Sequence, residues 1–399
     1  MHNKTFRTLA LFSILIFSYC ESAKSDESDK NTKPSNTNKV ARSETLKEYL
    51  GKLIFFDTNL SSPAGQSCSS CHTPNFAFTE PNQEIPTSEG VVAGRFGKRN
   101  APTVMYAQFS PPFHYDANLG SYVGGQFLDG RAATLDVQAK APFLGAIEMA
   151  NPNVKSVIKK IKKANYAPLF FSVYGLKALS SDNNVFNLVA DAIAAYERTQ
   201  VFGSFSSKYD AYLAGNVELS PLELQGLQVF EDPGKGNCAA CHSSRPAADG
   251  TPPLFTDFTY ENLGIPRNPA NPFYRNDPKF NPDGWNFVDN GLGAVVGASN
   301  QNGKFRVPTL RNLARTAPYF HNGYFSSLHA VVDFYNTRDV KPACADVLTN
   351  ETQANQNYCW PIPEVSDNVN HAELGRLGLT DAEVDAIVAF LNTLEDGYQ

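Results

Sequence analysis

Positive charge, methionine, tryptophan and long apolar runs are all scarce in this chain, and each shortage narrows what it can do. Lys and Arg number 34 against 40 Asp and Glu, a formal net charge of -6. That balance leaves no electropositive surface large enough to neutralise a run of phosphates, so nucleic acid is excluded as a partner. The largely apolar run at residues 9–17 is about half of what a helix needs to cross a bilayer, and no later stretch is long enough. Charged residues make up only 19% of the chain, hydrophobic residues 42% and aromatic residues 12%, which excludes global disorder and a coiled coil. At 399 residues the chain exceeds one ordinary core, and two globular domains are expected.

What is present begins with an export pattern. Lys4 and Arg7 precede the apolar run, and Ser18, Tyr19 and Cys20 follow it, which predicts a signal peptide over residues 1–20. Cys20 is similar to the lipid-accepting cysteine of bacterial lipoproteins, although Tyr19 is bulkier than the residue usual before it. A lipid anchor at Cys20 would be the chain's sole attachment to a membrane. Residues 21–43 are polar and cannot support a core, so they read as a disordered tether. The expected location is the periplasm.

Four of the seven cysteines fall into two copies of one motif. Cys68-Ser69-Ser70-Cys71-His72 and Cys238-Ala239-Ala240-Cys241-His242 are both CxxCH. At this spacing two thiols add across the vinyl groups of haem while the His ligates the iron. A zinc knuckle would want the two pairs to converge on one metal, and a redox disulfide would not need the His twice. The expectation is two covalently bound haems c. Cys344 and Cys359, 15 positions apart, are expected to close a loop as a disulfide.

The motifs belong to a larger internal repeat. Leu46, Tyr49, Leu50 and Leu53 share one face of a predicted helix before the first motif. Ser220 and Glu223 form a predicted capping box, with Pro221 at the first helical position, before the second. Gly51 to Phe55 is echoed by Gly226 to Phe230, Pro102-Thr103 by Pro308-Thr309, and Phe127 to Gly130 with Leu135 by Phe320 to Gly323 with Leu328. Asp191 to Tyr196 is echoed by Asp385 to Phe390. Landmarks matched in the same order mark a duplicated haem-binding unit. Each unit opens with a helix, binds haem and closes with an amphipathic helix, the last capped by Thr380 and Glu383 with Val384, Ile387, Val388, Leu391 and Leu394 on one stripe. The predicted fold is mainly α, with two cytochrome c-like domains in tandem at 44–205 and 206–399. Long loops at 73–100 and 244–303 are expected to wrap the haems.

The sixth iron ligands are read by subtraction. Only three Met exist, and Met1 is lost on export, leaving Met105 and Met149 in the first unit and none in the second. The second haem therefore has His321, His329, His371 and tyrosines to choose from. In the first unit the only other His is His114, so an open iron that binds peroxide or oxygen is expected there.

The paired CxxCH motifs, RNAPTV at 99–104, FLDGRAATL at 127–135 and FRVPTLRNLARTAPYFHNG at 305–323 resemble the bacterial di-haem cytochrome c peroxidase family, including its MauG branch. The resemblance runs from about residue 44 to 397. It implies a peroxidatic haem in the first domain and an electron-transfer haem in the second, both facing the domain interface. It makes His72 and His242 the proximal ligands, Glu148 the distal acid over the first iron, and Gln138 its polar neighbour. A carboxyl whose pKa is lifted toward neutrality can move the proton that peroxide cleavage requires. Asn100, Thr316 and Pro318 match the family's calcium site.

Three departures from that pattern matter. Tyr335 stands where many family peroxidases have a ligating Met, and it resembles the MauG tyrosine; a tyrosinate ligand would make the second haem harder to reduce. The loop from Thr73 to Arg99 holds no His, so the first haem should need no reductive activation. Leu128 occupies the family's inter-haem Trp position, leaving Tyr122 or Phe127 as substitutes on an electron path. The leading expectation is an enzyme that reduces hydrogen peroxide at the first haem, with electrons from a small c-type cytochrome or cupredoxin entering through the second. The alternatives are a MauG-like enzyme that oxidatively modifies a residue of a partner protein, and a pure electron carrier.

Overall fold

The computed structural model describes residues 44–399; the expected export signal, Cys20 and the expected tether lie outside the described residues. Seven helices of eight or more residues carry this part of the chain. They are α1 (Leu46–Phe55), α2 (Val154–Ile161), α3 (Ala167–Tyr174), α4 (Asp182–Glu197), α5 (Pro221–Glu231), α6 (Leu328–Thr337) and α7 (Asp381–Asn392). Shorter helical turns and two small antiparallel pairs complete the regular structure among the described residues. In one, β1 (His114–Asp116) pairs with β2 (Ser121–Val123), with Tyr115 opposite Tyr122; in the other, β3 (Tyr260–Glu261) pairs with β4 (Phe305–Arg306), with Tyr260 opposite Arg306. The fold is mainly helical. Among the described residues no helix is long and apolar enough to cross a membrane.

Reciprocal caps start the principal helices. Thr45 and Glu48 satisfy each other's backbone amides at α1, Ser220 and Glu223 do so at α5, and Thr380 and Glu383 at α7. Each opening helix then packs against a later one. α1 lies on α4 and α5 on α7, with Gly51 against the backbone of Ala192 and Gly226 against that of Ala386.

Apolar burial follows from those crossings. One core gathers Leu50, Ile54 and Phe55 of α1 with Val189 and Ile193 of α4 and with Phe202. A second gathers Phe230 of α5, Leu328 and Val332 of α6, Phe390 and Leu391 of α7, and Tyr209. Phe325, Phe334 and Trp360 centre a third, beside which Cys344 and Cys359 are joined as a disulfide. Each fully buried Phe contributes about 1.5–3 kcal/mol of burial energy.

Two details of the sequence reading are corrected. Leu46 and Tyr49 are exposed, at 56% and 42%, and the inward face of α1 is Leu50, Gly51, Ile54 and Phe55. The helices approach closest where a side chain is missing, so Gly51, and not the most apolar stripe, decides which side turns inward. The stretch 244–303 is not only loop: it includes β3 and a short helix, Leu292–Val296.

Candidate haem-binding and catalytic site

Cys238–Ala240 form one helical turn after α5. His242 Nδ1 lies 2.7 Å from the carbonyl oxygen of Phe255, and because a carbonyl only accepts, the imidazole carries its proton on Nδ1. That leaves the Nε2 lone pair for iron, the usual arrangement of a ligating His held by a backbone carbonyl. His72 makes the same contact, at 3.1 Å, with the carbonyl of Phe78. All four motif cysteines are unpaired thiols. Burial pushes Cys71, Cys238 and Cys241 up to about 12, so each is a neutral thiol free for thioether formation. These donors fit two covalent haems.

The second motif forms one wall of a deep, mostly apolar cavity, and Leu328, Val332 and Tyr335 of α6 line it as well. Burial, with the nearby thiols Cys238 and Cys241, holds the Tyr335 hydroxyl far above its ordinary value. Only a cation at the site would draw it to tyrosinate. His321 also lines the cavity, its Nε2 buried without a hydrogen-bond partner and its ring stacked 3.8 Å from Phe305. The other two histidine candidates do not line it. His329 is exposed and 3.6 Å from Asp385, and exposed His371 is bonded to Asp339.

The first motif is the helical turn Cys68–Cys71. Glu148 sits in the turn after the short helix Ala141–Leu144, its carboxylate folded over Gly145, where an added Cβ would lie 2.0 Å from Oε2. Its carboxylate raises the pKa of both Cys68 and Cys71, which places it within electrostatic reach of the motif. Burial lifts Glu148 above the usual carboxylate range, with Arg131 opposing. Gln138, half-buried at the end of the turn Leu135–Gln138, makes no hydrogen bond with Glu148. Met149 is packed in the first core, and Met105 Sδ accepts from Asn312 Nδ2 at 3.4 Å. His114 is exposed on β1.

Asn100, Thr316 and Pro318 all line the cavity of the second motif. Asn100 Nδ2 donates to the carbonyl of Pro86, its Oδ1 accepts no hydrogen bond, and no backbone amide donates to the carbonyls of Thr316 or Pro318. Leu128 reaches the same wall, and its carbonyl accepts from the Arg306 amide. Nearby, Arg99 is clamped by Asp129 at 2.6 Å and by Asp289 at 2.6 and 2.7 Å. Burial disfavours a charge on Asp289, but the Arg99 guanidinium outweighs it and holds the carboxyl well below the usual range.

The family model for di-haem cytochrome c peroxidases matches residues 45–218. The methylamine utilization protein MauG of Paracoccus denitrificans is 40% identical over 354 residues, covering 87% of this chain and 88% of that one. The chain belongs to the MauG-like di-haem cytochrome c peroxidase family. The cytochrome c551 peroxidase of Pseudomonas aeruginosa is 34% identical over 350 residues, 86% of this chain and 77% of that protein. Among solved structures, the diheme peroxidase BthA of Burkholderia thailandensis superposes with a TM-score of 0.73 at 33% identity, covering 90% of this chain and 87% of that one. As a member of this family the protein is an oxidoreductase that uses peroxide, with two haems c as cofactors. The carrier-only alternative is set aside.

Sequence reasoning missed Glu197. It is buried to 4% exposure with Oε2 unpartnered, its burial pushes it up to about 8, and it raises the pKa of Cys68. The repeat held the signal: with Tyr196 matched to Phe390, Glu197 matches Leu391, which lines the second cavity. An acid replacing a leucine at the same place in the repeat marks an asymmetry between the two CxxCH units.

Proposed function

We propose that this protein is a periplasmic enzyme that reduces hydrogen peroxide at the first CxxCH site with electrons delivered through the second. Cys68, Cys71 and His72 hold one haem in a cytochrome c-like domain at 44–205; Cys238, Cys241 and His242 hold the other in a second at 206–399. When bound, each haem supplies an iron that changes oxidation state and, where its sixth position is open, a place for peroxide to bind.

The observation that carries the reading is the Glu148 carboxyl, buried within electrostatic reach of the first motif and lifted above its ordinary pKa. Poised nearer neutrality, it takes the proton from one peroxide oxygen and returns it to the other, which leaves as water. Gln138 helps to orient the peroxide. Tyr335 would ligate the iron of the second haem, which would then pass electrons without peroxide competing for it. Asn100 Oδ1 and the carbonyls of Thr316 and Pro318 form the hard oxygen set that suits calcium. Electrons come from a small c-type cytochrome or cupredoxin, and Cys20 carries a lipid anchor.

Tyr335 favours a second reading, MauG-like oxidation of a residue on a partner protein, because an anionic oxygen ligand stabilises the oxidised second haem. Absorption and magnetic spectra of the oxidised holoprotein test the main proposal. One high-spin haem that responds to peroxide without prior reduction, followed by oxidation of a reduced small c-type cytochrome, is the expected result. Two low-spin haems with no response to peroxide would overturn it.

A further inference from the structure

Two aromatic runs connect the interior near the second site with the surface, and their chemistry differs. The first starts at Tyr260, buried opposite Arg306, and continues through Phe113 at 6.0 Å, Tyr122 at 5.5 Å and exposed Tyr115 at 5.1 Å between ring centroids. A tyrosine at neutral pH gives up an electron readily only if its phenolic proton has somewhere to go. The Tyr260 hydroxyl donates to the carbonyl of Gly124 at 2.6 Å, which is not a base, and Phe113 interrupts the run with a ring that is hard to oxidise.

The second run has the missing base. Trp285 is 41% exposed and stacks on buried Tyr274 with ring centroids 5.1 Å apart and planes 23° from parallel. The Tyr274 hydroxyl donates to Glu364 Oε1 at 3.3 Å. Glu364 lines the second cavity, where its Oε2 is 3.9 Å from the unpartnered Nε2 of His321. Arg267 lies 3.5 Å from Glu364 and 5.2 Å from the Tyr274 ring centroid, balancing the buried carboxylate.

We propose that Trp285 is the surface point at which electrons enter this protein, passing through Tyr274 to the wall of the second haem cavity while Glu364 holds the tyrosine's proton. The route rests on the donor-fed reading above. In each passage Tyr274 gives one electron inward and its phenolic proton to the Glu364 carboxylate. Trp285 then returns one electron to the tyrosyl radical as Glu364 returns the proton, and a one-electron protein donor restores Trp285. Two passages supply the two electrons that, with two protons from solvent, turn one hydrogen peroxide into two waters.

The test uses the full holoprotein, a reduced small c-type cytochrome as donor probe, and three variants. Trp285→Phe and Tyr274→Phe keep a ring in place and should each slow cytochrome oxidation about tenfold or more, a barrier increase of about 1.4 kcal/mol. Both should leave the haem absorption change on adding peroxide intact. Tyr115→Phe, at the end of the other run, should change nothing. Without donor, peroxide-treated wild type should show a paramagnetic resonance signal that alters when the protein carries deuterated tryptophan and is absent from Trp285→Phe. The assignment is clean because the only other tryptophan, Trp360, is buried in the third core. Cytochrome oxidation by Trp285→Phe within about twofold of wild type, or an equal slowing in Tyr115→Phe, would overturn the route while leaving the peroxide reading standing. A wild type whose haems ignore peroxide would overturn both.

Discussion

A methyl group placed on the Cα of Gly226 would come within 1.9 Å of the carbonyl oxygen of Ala386. Gly51 stands in the same relation to Ala192, also at 1.9 Å. In each half, backbone meets backbone because a side chain is missing, and an aromatic residue four positions later, Phe55 or Phe230, fills the core beside the crossing. The duplicated landmarks in the sequence are therefore landmarks of one packing geometry used twice.

Gly226→Ala should be costly, because the obstructing atoms are backbone and cannot rotate away. A loss of about 3 kcal/mol or more is expected from overpacking, read from denaturant unfolding of the holoprotein. Gly97→Ala, where an added Cβ meets only ordinary contacts at 3.6 and 3.7 Å, should be nearly neutral. Equal stabilities for the two variants would show that the helix crossing is softer than its geometry indicates.

Glu148→Gln preserves shape but cannot carry a proton. Steps after peroxide binding should slow by roughly two to four orders of magnitude, measured by rapid mixing, while peroxide still binds. Unchanged turnover would assign the proton to another group, with Glu197, or ordered water held by Gln138, the first to examine.

Glu197 should leave its mark on stability against pH. The folded chain keeps its proton up to about pH 8, whereas the carboxyl's ordinary value is 4.5. Between those values the unfolded state binds fewer protons, so this residue lowers stability as pH rises. Glu197→Gln stays neutral, and its stability relative to wild type should climb across that window in thermal unfolding at a series of pH values. A constant difference would mean that Glu197 is already ionised in the folded protein.

On the proposed reading, Tyr335 sets the character of the second haem. Tyr335→Met should make that haem easier to reduce, and Tyr335→Phe should change its absorption and magnetic spectra. Spectra and potential unmoved by both substitutions would leave Tyr335 a wall residue and shift attention to His321, the other candidate on the same cavity.

The sequence by itself determined whatever depends on neighbours along the chain. Two CxxCH motifs named the cofactor, the reciprocal caps at Ser220 and Thr380 set where helices begin, and the repeated glycine and aromatic landmarks showed one unit used twice. These signals are legible because a cap or a haem attachment is built within a few residues. Contacts between distant segments were decided only in three dimensions. His321, His329 and His371 were equivalent on paper, and the fold placed only His321 on the cavity. Leu46 looked like a core residue until the close approach at Gly51 turned α1 by its bare side. Glu197 became a buried acid, and Trp285, Tyr274 and Glu364 a connected run, only when chain segments up to 90 positions apart packed together, because desolvation and tunnelling distance are properties of space and not of sequence order.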